Sequence, residues 1–175
     1  WFKGKVFNDS WALLKETKIK KNEFCDVTHI CISHEHPDHL HFDTLKEILK
    51  LCKTVPILIF PSRTNTFVRN SLKKTGYKIV YAPRDGTELT LSEGANVYYF
   101  GETYDHDNSI VLAVDGNIIL NQNDHYTSEE NIKLINEKFP NIDYLFTQFS
   151  LAGYYGNSDD KIALKKNGYD FHIDR

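Results

Sequence analysis

The chain has 175 residues, 41% apolar and 26% charged, with a formal net charge of −3. That length is enough for one domain with a real core, 1–175, and the composition is that of an ordinary globular protein. The charge gives no broad basic field, so nucleic acid and anionic membranes are not expected partners, and no stretch approaches the ~18 apolar residues of a membrane span.

The first clear element is Val27-Thr28-His29-Ile30-Cys31-Ile32, a β-branched run that reads as a strand. A polar loop rich in histidine follows. Residues Asp43 to Cys52 then read as a helix: Leu45, Ile48, Leu49 and Cys52 share a face, and Thr44 and Glu47 have capping-box spacing. Pro56 to Phe60 is a short apolar run expected as a buried strand. Asn65 to Lys74 reads as a helix and Lys78 to Tyr81 as a strand. In Asn96 to Phe100, Val97 and Tyr99 alternate against Tyr98 and Phe100. Ser109 to Val114 and Asn117 to Asn121 flank Asp115-Gly116, a strong hairpin signal. Thr127 to Phe139 reads as a helix stopped by Pro140, with a second capping-box pattern at Thr127 and Glu130. Asp143 to Thr147 is a last strand. Interleaved strands and helices with one hairpin predict mixed sheets covered by helices, an α/β or α+β layered domain.

Three cysteines, Cys25, Cys31 and Cys52, are odd in number and scattered. They suggest a reducing cytoplasm rather than a disulfide framework. The chain has no methionine and begins at Trp1, which leads us to expect an internal piece of a longer chain.

The chemistry concentrates in one place. Four of the eight histidines, His34, His36, His39 and His41, fall within eight positions, after a predicted strand and before a predicted helix. In extended chain, residues i and i+2 point the same way, so His34 and His36 can offer two imidazoles to one ion. Pro37 favours a turn, beyond which Asp38 and His39 can face a neighbouring point. Imidazole suits zinc, iron and similar ions, and carboxylate adds a hard oxygen donor. Two histidines leave the ion short of ligands. His106 and Asp124, each beside a predicted strand end, could supply a further imidazole and a bridging carboxylate. His41 and His125 adjoin these motifs and read as supporting or surface residues. Cys31 and His34 have Cys-x-x-His spacing, but a Rieske site also needs a Cys-x-His partner, which the sequence lacks, so Cys31 reads as core.

His34-Glu35-His36-Pro37-Asp38-His39, followed by His106 and Asp124, resembles the signature of the metallo-β-lactamase fold superfamily. Asn8-Asp9-Ser10-Trp11, Ile118-Ile119-Leu120-Asn121 and Phe149-Ser150-Leu151-Ala152-Gly153 resemble the branch of ascorbate-6-phosphate lactonase-like proteins and the lactamase-fold domain of CMP-N-acetylneuraminate hydroxylase. The resemblance runs from about Trp11 to about Gly156. It implies a four-layered αββα sandwich, here lacking part of its C-terminal half. It implies one or two divalent transition-metal ions, zinc first and iron or manganese as alternatives. His34, His36 and His106 would hold the first ion, Asp38 and His39 the second, and Asp124 would bridge. The family adds a late histidine; the late histidine here, His172, does not match that motif and reads as a helix or surface residue, so the last ligand is expected beyond Arg175 or the second site is incomplete. The implied activity is hydrolysis of a small polar or phosphorylated substrate by metal-bound hydroxide, with Asp38 as the catalytic residue. The alternative is an iron-dependent nucleotide-sugar hydroxylase component working with a separate Rieske partner.

Overall fold

A computed structural model describes residues 5–6, 11–12, 15, 20–102 and 106–147. The elements are β1 (Lys5–Val6), β2 (Trp11–Ala12), α1 (Lys21–Phe24), β3 (His29–Cys31), α2 (Phe42–Leu51), β4 (Ile57–Pro61), α3 (Thr66–Lys73), β5 (Lys78–Ala82), β6 (Leu89–Ser92), β7 (Ala95–Gly101), β8 (Asn108–Val114), β9 (Asn117–Asn123), α4 (Glu129–Lys138) and β10 (Tyr144–Thr147). The segments around Asn8-Asp9-Ser10, Phe149 to Gly153 and His172 lie outside the described residues.

Two sheets carry the fold. One is parallel, in the order β3-β4-β5, and the other is mixed, in the order β10-β9-β8-β7-β6. Strand alternation decides what each sheet face meets. In β4, Leu58 and Phe60 point outward to a cluster with Leu45, Val68 and Leu72, where α2 and α3 cover the parallel sheet. Ile59 points the other way, to a cluster with Val97, Tyr99 and Ile110 of the mixed sheet. In β7, the neighbours of Val97 and Tyr99, namely Tyr98 and Phe100, face a third cluster with Val111, Leu120, Ile135 and Phe139 under α4. Three apolar layers therefore separate four layers of structure: helices, sheet, sheet, helix. The αββα expectation is met.

Several local expectations are met and others shift. The Asp115-Gly116 hairpin forms with φ of 49° and 82° at its two central residues, the backbone of a type I′ turn. Space is open around Gly116, so only backbone strain opposes a side chain there. Gly116→Ala is expected to cost about 1–2 kcal/mol, read as a lower urea midpoint with unchanged slope. Helix starts moved. Thr44 lies inside α2, and the cap is His41, whose Nδ1 accepts the Thr44 backbone N–H at 3.2 Å. Ser128, not Thr127, caps α4 and accepts from the Asn131 backbone N–H. Thr127 is instead buried, hydrogen-bonded to Ser109. The sequence reading missed β1, β2, α1 and β6, all of four residues or fewer, too short for a periodicity to show. Edge strand β10 leaves Tyr144, Leu145 and Phe146 exposed. No helix among the described residues is long and apolar enough to cross a membrane.

Candidate metal centre

Parallel pairing of β3 with β4 sets where the histidine loop begins, at the C-terminal end of the parallel sheet. In the mixed sheet β8 and β9 run antiparallel, so the start of β8 and the end of β9 lie at the same end. A hydrogen bond from Asn108 Nδ2 to the Ser33 carbonyl, 2.6 Å, joins the two sheets there. Residues 33–39, 107 and 124, far apart in sequence, thereby meet at one edge of the sandwich.

His34 is the centre of the cluster, with a fully buried side chain. Its Nε2 lies 3.5 Å from Asp107 Oδ1 and 3.9 Å from Asp124 Oδ2. On the other side of the ring Nδ1 hydrogen-bonds Ser33 Oγ at 2.9 Å, which holds the ring in place. His36 meets it edge to face, with ring centroids 4.6 Å apart, and His39 lies tilted at 4.1 Å. His36 Nδ1 is 3.9 Å from Asp107 Oδ1. His39 Nε2 hydrogen-bonds Asp124 Oδ2 at 3.1 Å and lies 3.6 Å from Asp38 Oδ2.

Two sets of ligand atoms converge, His34–His39–Asp124 and His34–His36–Asp107, each with its atoms within 4.8 Å of one another. Most of these separations exceed an ordinary N–H···O hydrogen bond. They approach the roughly 3.3–3.6 Å between two donors on a tetrahedral ion with bonds near 2.0–2.2 Å. Three imidazoles and two carboxylates crowded at this spacing, with Asp38 beside His39, fit a cation. His34 belongs to both sets, and Asp124 stands between His34 and His39.

The local charges agree. Burial works against a proton on His39, but the hydrogen bond and charge of Asp124, with Asp38 and Asp107, hold its pKa above the ordinary value. The bond from His39 holds the Asp124 carboxyl below its ordinary value, against burial and aided by the charges of His39, His34 and His36. Cys31 is different: burial pushes its thiol up to about 11, so it is a protonated core side chain, as expected.

Of the residues singled out in the sequence, the structure brings together His34, His36, His39 and Asp124, with Asp38 beside His39. His106 is exposed and belongs to neither converging set. Asp107, its neighbour, faces the cluster; adjacency to His106 was the only sequence signal for it. His41 serves as a helix cap. His125 is buried directly behind Asp124. Its Nδ1 accepts the Ser109 backbone N–H at 3.2 Å, which places its proton on Nε2, 3.7 Å from Glu102 Oε1. Glu102 in turn accepts from the Ser128 N–H and from Asn131 Nδ2. This buried chain of bonds fixes the turn that carries Asp124 to the start of α4, a packing role that sequence spacing did not reveal.

No family model and no curated protein matches the sequence. Solved structures do match in fold. The diiron β-hydroxylase CmlA from Streptomyces venezuelae aligns at 20% identity over 81% of this chain and 31% of its own, with a TM-score of 0.61. A variant of that enzyme aligns over 27% of its length, also at a TM-score of 0.61. Human tRNase Z, short form, aligns at 15% identity over 86% of this chain and 71% of its own, with a TM-score of 0.51. The chain thus spans less than a third of the hydroxylase it matches. Layer order, sheet topology and these likenesses agree on one architecture: the chain has the metallo-β-lactamase fold, with a cluster of histidine and aspartate able to hold metal at one edge of its two sheets.

Proposed function

We propose that the chain is a metal-dependent hydrolase of a small polar or phosphorylated substrate, such as a lactone, an amide or a phosphodiester. The observation that carries this reading is the convergence of three imidazoles and two carboxylates, those of His34, His36, His39, Asp107 and Asp124, with Asp38 beside His39. His34, His36, His39, Asp38, Asp107 and Asp124 are the residues that would hold one or two divalent ions, with zinc the first choice and iron or manganese the alternatives. Such an ion supplies a water that ionises near neutral pH and a positive charge for the oxyanion that forms.

The chain's own residues divide the remaining work. Asp38, 17% exposed and beside His39, is placed to orient the attacking water or take its proton. His34 and Ser33 give the cluster a rigid floor. His36, 53% exposed, marks the side from which substrate enters. That openness also argues for catalysis, because purely structural zinc sites are closed by four protein ligands. The partner proposed is therefore a small molecule. A cytoplasmic setting is proposed from the three free thiols.

A second reading, an iron-dependent hydroxylase component with a separate Rieske partner, is favoured by one observation: two of the five converging side chains are carboxylates, with a third, Asp38, beside His39, and carboxylates suit harder ions. One set of assays separates the two. Metal-loaded protein is expected to turn over members of a lactone and phosphodiester panel, to lose that turnover on chelation and to regain it when the ion is returned. Hydrolysis that survives chelation would overturn the first reading, and oxygen consumption driven by added reductant would replace it with the second.

A further inference from the structure

Two chain neighbours, His106 and Asp107, compete for the third place beside His34 and His36. Successive residues of extended backbone point apart, so one backbone path turns only one of them to the ion. Asp107 Oδ1 lies 3.5 Å from His34 Nε2 and 3.9 Å from His36 Nδ1, on a side chain only 13% exposed. His106 is exposed.

The backbone that makes this choice is clamped on both sides. Asn108, fully buried, donates its Nδ2 to the Ser33 carbonyl at 2.6 Å and to the His106 carbonyl at 2.8 Å. Arg84 donates Nη2 to the Asp107 carbonyl at 3.0 Å and Nε to Asn108 Oδ1 at 2.5 Å. Turning His106 inward would break the bonds that tie the start of β8 to the loop carrying His34.

We propose that Asp107, and not His106, completes a two-histidine, one-carboxylate face with His34 and His36, and that this face can take ferrous iron in place of zinc, with positions left for a small ligand. The proposal rests on reading the cluster as a metal centre. It departs from the ligand set implied by the sequence resemblance, in which the third donor is an imidazole. A carboxylate in that place reduces the charge of the loaded face by one and adds a hard oxygen. Two histidines and one carboxylate with open positions form the donor set of non-haem ferrous sites that bind oxygen. The exposed flank at His36 leaves room for such a ligand.

The test uses the whole chain loaded anaerobically with ferrous iron. It reads the iron retained against a competing chelator, and the electron paramagnetic resonance signal of the adduct with nitric oxide, the probe for an open position. The unsubstituted chain and His106→Ala are expected to retain iron and give the half-integer-spin nitrosyl signal. Asp107→Ala is expected to bind iron about 10–100-fold more weakly or worse and to lose the signal. Should that variant unfold by circular dichroism, Asp107→Asn, of nearly the same shape, carries the comparison. Loss of iron in His106→Ala, alone or equally with the Asp107 variant, would overturn the assignment. So would an unsubstituted chain that binds zinc but no iron, or iron with no nitrosyl signal. Iron retained in His34→Ala would instead condemn the metal-centre reading beneath the proposal.

Discussion

His34→Ala is expected to empty the centre. Both converging sets of ligand atoms pass through His34, and without it only two-residue remnants stay, His39 with Asp124 and His36 with Asp107. Substitutions merely behind a ligand lower metal affinity by about 10–100-fold, so loss of this shared ligand should exceed about 100-fold. Metal content after dialysis against a competing chelator measures it. Because the ring is fully buried, the variant must also be compared with the unsubstituted chain in the metal-free state. A metal-free variant that melts like its parent yet holds no ion isolates the ligand role. Near-stoichiometric metal in His34→Ala would end the assignment. Asp124→Ala is the companion measurement, since Asp124 Oδ2 lies near both His34 and His39.

The second large effect is expected away from the metal. Tyr99 is fully buried between the two sheets, packed with Ile59, Val97 and Ile110. Truncating a large aromatic in such a place costs about 3–5 kcal/mol. That is a large share of the roughly 5–15 kcal/mol that keeps a domain folded. Tyr99→Ala should therefore be largely unfolded at moderate urea. Tyr99→Phe keeps the ring and loses only the hydroxyl, which donates to the Ile59 carbonyl at 3.3 Å. That carbonyl also accepts the Ile32 N–H, so it keeps a partner, and the expected cost falls to about 0.5–1.5 kcal/mol. Equal midpoints for the two variants would show that inter-sheet packing at this position matters little. The same packing holds the end of β3, at Cys31, against the start of β8, at Ile110, so Tyr99→Ala should also bind metal more weakly wherever it remains folded.

How much of this was legible differs from residue to residue. The alternation of Val97 and Tyr99 against Tyr98 and Phe100 was plain, because a strand buried on both faces must sort its side chains by parity. The Asp115-Gly116 hairpin was plain because few residue pairs accept positive φ at two consecutive positions. The caps were less legible. Thr44 with Glu47 and Thr127 with Glu130 have suitable spacing, yet the hydrogen bonds go to His41 and Ser128, one to three residues away. Several side chains near a helix start can serve, and tertiary contacts choose among them. Thr127 was already committed to Ser109 and His125.

The sequence alone determined the donor types and their local spacing: two imidazoles two residues apart after a strand, then a carboxylate and a third imidazole past Pro37. Short-range geometry suffices for that, since a few bonds fix where such side chains can point. Which distant residues join them was decided only by the tertiary structure. The register of β8 against β9, and the clamp of Asn108 and Arg84 on the chain at 106–108, bring Asp124 and Asp107 to His34 and leave His106 outside. Turning the backbone by one residue exchanges inside for outside, and no local pattern at His106-Asp107 says which way it turns.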